Sequence, residues 1–289
     1  MRTAVQQPGS SIVTDMSIRV PDRTLELLRD LIAAHTGLHY DDARLHFMRD
    51  RLTPLALDRG FDSLLDYYYL LRYDADAPQE WVHAIDALSV QETYFWREAD
   101  QLTALADHIV PALAARGRQR IRIWSMPCAT GEEPLSIAMA LDEARWFDRL
   151  DIELHASDAS EAALVRARAG RYGERAFRQL APERRDRYFT AIGSEWAVRR
   201  ELHDRVRSWT RVNAVQPQDW GTVARADIVF CRNLFIYFES ATVVRVVRAL
   251  ADAMLAPAYL CVAAAESLLR LSTPFALQTL GGAFVYVRP

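Results

Sequence analysis

The sequence predicts an α/β protein in which a doubly wound, mostly parallel sheet follows an all-α N-terminal domain. Three observations carry this. Residues 22–90 show apolar positions at helical spacing and no strand-like run. From about residue 99, short apolar runs alternate with helical patterns. Between them, the turn Ser125–Glu133 joins an apolar strand, Ile121-Arg122-Ile123-Trp124-Ser125, directly to an apolar helix, and open α/β sheets place ligands at such junctions.

Taken in order, residues 1–20 are polar and read as a flexible tail without the apolar run of a signal peptide. Leu25, Leu28 and Ile32, with Leu27 and Leu31, give a first helix that stops near Gly37. Leu45, Met48, Leu52 and Leu55 give a second, which Pro54 should end or kink early. A third helix covers roughly Ser63–Leu71, and Trp81, Ile85 and Leu88 mark a fourth, completing a helical domain over 21–90. Residues 91–98 form a linker, and the α/β domain runs over 99–289. Its expected elements are a helix through Leu102, Leu105 and Ile109, a strand at 121–126, a helix at 131–144, a strand at 152–157 and a helix at 160–169. Strands at 206–212 and 227–231, a helix at about 240–255 and strands at 258–264 and 283–287 follow, with room for an antiparallel edge near the end. Residues 171–205 are Arg-rich and break the alternation, which suits short helices and a small inserted hairpin.

Composition narrows the chemistry. All 35 basic residues are arginine, so neither a Schiff-base lysine nor a P-loop lysine exists. The net charge of −3 does not favour nucleic acid as a partner. The three cysteines, Cys128, Cys231 and Cys261, are far apart, which fits a reducing, cytoplasmic setting better than disulfides or zinc. No histidine spacing suggests a metal, and none is expected. No 18-residue apolar span is present, so no membrane insertion is expected, and a monomer is the default.

The turn after the first strand carries Glu132 and Glu133 rather than a phosphate-binding Lys or Arg, and neither glycine-rich phosphate spacing is present. Its ligand should therefore be nucleoside-like, cationic or rich in hydroxyls, and free of pyrophosphate. Asp158, about 25 residues beyond the turn, stands where a carboxylate can accept ribose hydroxyls, although it can equally cap the following helix. Asn213 and Asn233 follow later strands, where an amide can serve a ligand or a turn. In the linker, three aromatics adjoin Arg97, whose guanidinium can hold a carboxylate or form a surface salt bridge.

The motifs QETYFWRE, PCATGEEPLSIA, ASD, RVN and FCRNLFIYF, in this order, resemble the CheR family of bacterial chemoreceptor glutamate methyltransferases over about residues 22–288. The resemblance implies a Rossmann-like methyltransferase sheet and S-adenosylmethionine as cofactor, with S-adenosylhomocysteine as product. Carried across by motif, the cofactor contacts fall on Gln91, Thr93, Arg97, Glu133, Asp158, Asn213, Ala214, Asn233 and Leu234. Arg97 would orient the substrate carboxylate with help from Tyr237, and a small β-subdomain would lie within about 171–212. The implied partner is the cytoplasmic helical domain of a chemoreceptor, met by Arg44, Arg49 and Arg51 of the second helix.

Three departures stand out. Gln91 replaces the family's usual Asn, Ala263-Ala264-Ala265-Glu266-Ser267 replaces G-H-S-E, and Pro54, Leu55 and Leu57 occupy positions where enteric members carry arginines. These leave two alternatives open: methylation of a non-chemotaxis receptor or small carboxylate, and a non-catalytic cofactor-binding module.

Overall fold

Helix α1 (Asp22–Thr36) opens the part of the chain that the computed structural model describes, residues 22–289; the expected tail over 1–20 lies outside it. Leu25, Leu28 and Ile32 form the buried stripe of α1, and the helix ends before Gly37. Helix α2 (Leu45–Asp58) does not stop at Pro54, as the sequence suggested, but continues through it to Asp58. Met48, Leu52 and Ala56 are fully buried on the helical core, and that burial outweighs the roughly 3 kcal/mol cost of an interior proline. Helix α3 (Leu64–Tyr73) is capped by Ser63, whose hydroxyl accepts the Leu65 N–H. Helix α4 (Ala77–Leu88) buries Trp81, Ile85 and Leu88 against the other three.

After the linker, α5 (Ala99–Ala104) passes through a π-helical turn, Leu105–Ile109, into α6 (Val110–Ala115). Then come β1 (Arg120–Ser125), α7 (Glu132–Glu143), β2 (Asp151–Asp158) and α8 (Glu161–Ala169). Strand β3 (Arg171–Gly173), helix α9 (Pro182–Tyr188) and strands β4 (Phe189–Ile192) and β5 (Glu195–Val198) follow, β3, β5 and β4 pairing as a small antiparallel sheet. The short α10 (Arg200–His203) leads to β6 (Val206–Arg211), which returns to the main sheet. The chain closes with β7 (Ile228–Phe230), α11 (Ser240–Ala253), β8 (Ala258–Cys261), β9 (Ala276–Leu280) and β10 (Ala283–Arg288).

The main sheet has the order β6-β2-β1-β7-β8-β10-β9. Its first five strands are parallel, and β10 runs antiparallel to both β8 and β9. Alternate residues enter opposite layers. Ile121, Ile123 and Phe230 join the core beneath α5–α7, whereas Trp124, Val229 and Leu260 join the core beneath α11. From β1 the chain winds outward to β2 and β6, then crosses back to β7, so the strand order reverses beside β1. That reversal opens a crevice at the carboxyl ends of β1, β2 and β7.

Pro54 is exposed, so removing it costs no core packing. Pro54→Ala should restore a helix hydrogen bond and raise stability by about 1–2 kcal/mol after the loss of proline's restriction on the unfolded chain. Thermal or urea unfolding checks this, and an unchanged or lower midpoint contradicts it.

Candidate active site at the carboxyl edge of the sheet

A cleft of about 1090 Å³, counting its open mouth, occupies this crevice. Its walls include Gln91, Thr93, Arg97, Glu133, Asp158, Asn213, Ala214, Asn233, Leu234 and Tyr237, so the structure brings these together from five separate segments. The arginines expected on the second helix lie elsewhere, and Arg44 ends the short 3-10 turn before α2 rather than standing on it. Arg44 borders an adjoining apolar cavity with Tyr40, Phe47 and Val90, while Arg49 pairs with Asp50 at 2.9 Å and Arg51 lies 4.9 Å over the Phe47 ring. Tyr237 lines both cavities.

The turn after β1 is held by local constraints. Gly131 precedes α7 at φ +100, where a Cβ would meet Tyr172 Oη at 2.9 Å and Ala167 Cβ at 3.1 Å. Only glycine fits both the conformation and the space. Ala129 sits at φ +46, which costs about 1–3 kcal/mol for a residue with a side chain. Its N–H donates to Asp158 Oδ2 at 2.8 Å, and the Ser160 N–H donates to Asp158 Oδ1 at 2.9 Å. The cap of α8 is Ser160 rather than Asp158, since the Ser160 hydroxyl accepts the Ala163 N–H. Asp158 thus ties the turn after β1 to the end of β2 and still borders the cleft. Burial pushes its carboxyl up to about 6 despite these N–H donors.

The two adjacent glutamates divide. Glu132 accepts the Thr130 hydroxyl at 2.6 Å and does not line the cleft. Glu133 does, accepting the Ser125 hydroxyl at 2.7 Å, and burial raises its carboxyl to about 6 against the opposing pull of Arg232. Gln91 donates to Ser160 Oγ at 3.1 Å, and Ser160 donates in turn to Asp86 of α4, joining the helical domain to the start of α8. Asn213 spends its side chain on the fold: Nδ2 donates to the His35 carbonyl at 2.7 Å and Oδ1 accepts the Val215 N–H. What it offers a ligand is its place in the wall.

Sequence reasoning missed Arg232, which is 3% exposed and lines the cleft. It pairs with Glu98 at 3.2 Å and Glu133 at 3.3 Å and donates to the Arg97 carbonyl at 2.9 Å. Its Nε has no hydrogen-bond partner among the described residues. An arginine inside the run from Ile228 to Phe238, apolar apart from Asn233 and the Tyr237 hydroxyl, was the available signal. Glu266, the acid retained in the altered A-A-A-E-S segment, accepts the backbone N–H groups of Asn233, Ile236 and Ala263 and so holds the loop after β7. Among the described residues, no group of three or more His, Cys, Asp and Glu is arranged for a metal, and no helix is long and apolar enough to cross a membrane.

A nucleoside fits this donor set. Asp158 offers a carboxylate for a diol, and Glu133 an anion for a positive group. Fold and site define the class of S-adenosylmethionine-dependent methyltransferases. The description "CheR methyltransferase, SAM binding domain" matches residues 91–281, and "CheR methyltransferase, all-alpha domain" matches residues 23–89. Chemotaxis protein methyltransferase 2 of Vibrio cholerae is 30% identical over 277 residues, covering 94% of this chain and 95% of that protein. Chemotaxis protein methyltransferase 1 of Pseudomonas aeruginosa is 31% identical over 269 residues, covering 90% and 96%. The probable biofilm formation methyltransferase WspC of Pseudomonas putida is 32% identical over 270 residues, covering 92% of this chain and 61% of that protein. The chain belongs to the CheR methyltransferase family.

Arg232→Ala should leave Glu133 and Glu98 with an uncompensated buried charge, costing about 3–5 kcal/mol and raising the Glu133 carboxyl further. Denaturant unfolding near pH 7 tests this, and a loss below about 1 kcal/mol would show that the pair does not hold the site.

Proposed function

We propose that the chain transfers the methyl group of S-adenosylmethionine to glutamate side chains of a chemoreceptor's cytoplasmic helical domain. The observation that carries this is the cleft itself: two carboxylates placed for a diol and a positive group, with Arg97 on the same set of walls to meet an acceptor anion. Asp158 would hold the ribose and Glu133 the positively charged end, with Gln91, Thr93 and the 213–214 and 233–234 segments closing the walls. When bound, the cofactor supplies an electrophilic methyl group on a sulfonium.

The acceptor needs no deprotonation. A glutamate with pKa about 4.3 is already an anion near pH 7. The buried thiols are unsuited to nucleophilic roles, because burial pushes Cys128 and Cys231 well above the ordinary thiol range. Burial also raises Tyr237, so its hydroxyl stays protonated and can donate to the acceptor carboxylate rather than remove a proton. Catalysis then rests on alignment, an effect worth roughly 7–11 kcal/mol in well-oriented reactions. Arg97 orients the anion, and the apolar cavity beside Tyr237, bordered by Arg44, is the approach for the receptor helix.

A second reading, a receptor outside chemotaxis, is favoured by the run through Pro54 and Leu55 on α2 and by the relative named for biofilm formation. Incubation with tritiated S-adenosylmethionine and purified receptor cytoplasmic fragments should give label released by base as methanol. Label on other lysate proteins but on no chemotaxis receptor would select the second reading. Label on nothing would sink both.

Cofactor affinity should depend on pH. Asp158 and Glu133 titrate near 6 without ligand and must be ionised to serve a diol and a cation. Affinity should fall as pH drops through about 6, by about tenfold at pH 5 for each carboxylate that must ionise. Calorimetric titration from pH 5 to 8 checks this, with Asp158→Ala expected to bind at least tenfold more weakly at pH 7.5. A flat profile would remove these carboxylates from the contact set.

A further inference from the structure

Arg97 reaches the cleft on a segment that is held from outside by the turn after β3. The Phe95 N–H donates to the Ala176 carbonyl at 2.9 Å, and the Phe95 ring packs on Tyr172, Phe177 and Phe189. Beside this apolar contact lies a ring of polar ones. Arg178 donates to Glu92 Oε1 at 2.7 Å, and its guanidinium lies 3.8 Å from the Tyr94 ring centroid. Arg97 lies over the same ring at 5.3 Å and donates to the backbone carbonyl of Glu92 at 3.1 Å. Arg178 therefore shares the Tyr94 ring with Arg97 and also holds the side chain of Glu92, the residue whose backbone carbonyl accepts Arg97.

We infer that Arg178 is a positioning residue for methyl transfer, which sets the direction of the Arg97 guanidinium through Tyr94 and Glu92. The inference rests on the reading of Arg97 as the group that orients the acceptor. Two cations over one ring repel each other, and the Glu92 carboxylate, which also takes Arg175 at 3.3 Å, supplies the compensating charge. The Arg178 side chain is one-third exposed and that of Glu92 half exposed, so their pairing adds little to stability. Its effect is instead on where Arg97 points. A guanidinium on a long flexible stem, fixed at one carbonyl and one ring, loses its aim when the ring is free to turn.

The test is a double-mutant cycle on purified full-length protein, with methyl transfer to a chemoreceptor cytoplasmic fragment as the assay. Arg178→Ala should lower kcat about three- to tenfold, the scale of one cation–π contact with its ion pair, while S-adenosylmethionine affinity and melting temperature hold. Tyr94→Leu should fall in the same way, and Tyr94→Phe, which keeps the ring face, should fall less. Added to Arg97→Ala, Arg178→Ala should cause no further loss. Additive losses in that background, or a parallel fall in cofactor affinity, would overturn the inference while leaving the role of Arg97 intact. Undiminished turnover in Arg97→Ala would overturn the role of Arg97 and this inference with it.

Discussion

The buried guanidinium of Arg232 is the constraint on which the cleft depends. It draws together the linker through Glu98 and the Arg97 carbonyl, the start of α7 through Glu133, and its own loop after β7. These segments are far apart in sequence, and among the described residues no other charged side chain pairs with all three. A cation this deep has to be paired, and the geometry that pairs it also places Glu133 and Arg97 on one wall. Glu266 completes the arrangement by gathering three backbone N–H groups, which lets Asn233 sit at φ +60. Strain concentrates here. Trp96, Glu98, Ala129 and Asn233 are four of the five non-glycine residues with positive φ among those described, and all belong to segments that wall the cleft.

That concentration has an electrostatic counterpart. Asp158 and Glu133 are both pushed up to about 6 by burial, so the fold holds these carboxylates against their preference for water. Raised folded-state values give a stability contribution that is present below about pH 4 and lost as pH rises through about 6. The chain gives up stability at working pH to keep two anions ready. A ligand with a diol and a positive charge relieves that cost, whereas a phosphate would add to it. The same reasoning that excluded phosphates from the bare sequence therefore holds for the folded cleft, where one carboxylate closes the β1–β2 corner and the other opposes Arg232.

Much of this was legible in the sequence because strands buried on both faces read as apolar runs. The β7 segment is of that kind, β1 and β2 showed instead the alternation of polar and apolar residues typical of strands, and the motifs at their ends identified the wall residues. Strand β9 was invisible, since Ala276–Leu280 is a largely exposed edge strand whose Gln278 and Thr279 interrupt any apolar run. The continuation of α2 past Pro54 was decided by tertiary burial, which local propensity does not contain. Asn213 was legible as a wall residue, but the destination of its amide, the carbonyl of His35, depends on how the helical domain meets the sheet. Arg232 was hidden for a related reason. Within CRN the asparagine has the familiar ligand-binding chemistry, and the partners that give the arginine its role lie 99 or more residues earlier at Glu98 and Glu133.

An acceptor carboxylate that is already ionised needs no base among the wall residues, and this gives the helical domain and the small sheet a shared purpose. If chemistry required a proton to move, one well-tuned residue could dominate the rate, and its surroundings could be loose. Transfer to an existing carboxylate anion places the demand on alignment of oxygen, carbon and sulfur, which falls off steeply with displacement. Every segment bearing a wall residue is accordingly braced by an element outside the main sheet. Gln91 is tied through Ser160 to Asp86 of α4. Phe95 is tied to the small sheet and the turn after β3. The 237–238 segment is bridged to Leu38 and His39 at the end of the first helix–loop unit. The main sheet supplies the crevice, and the two added units supply the rigidity that a reaction without a general base must draw from its scaffold.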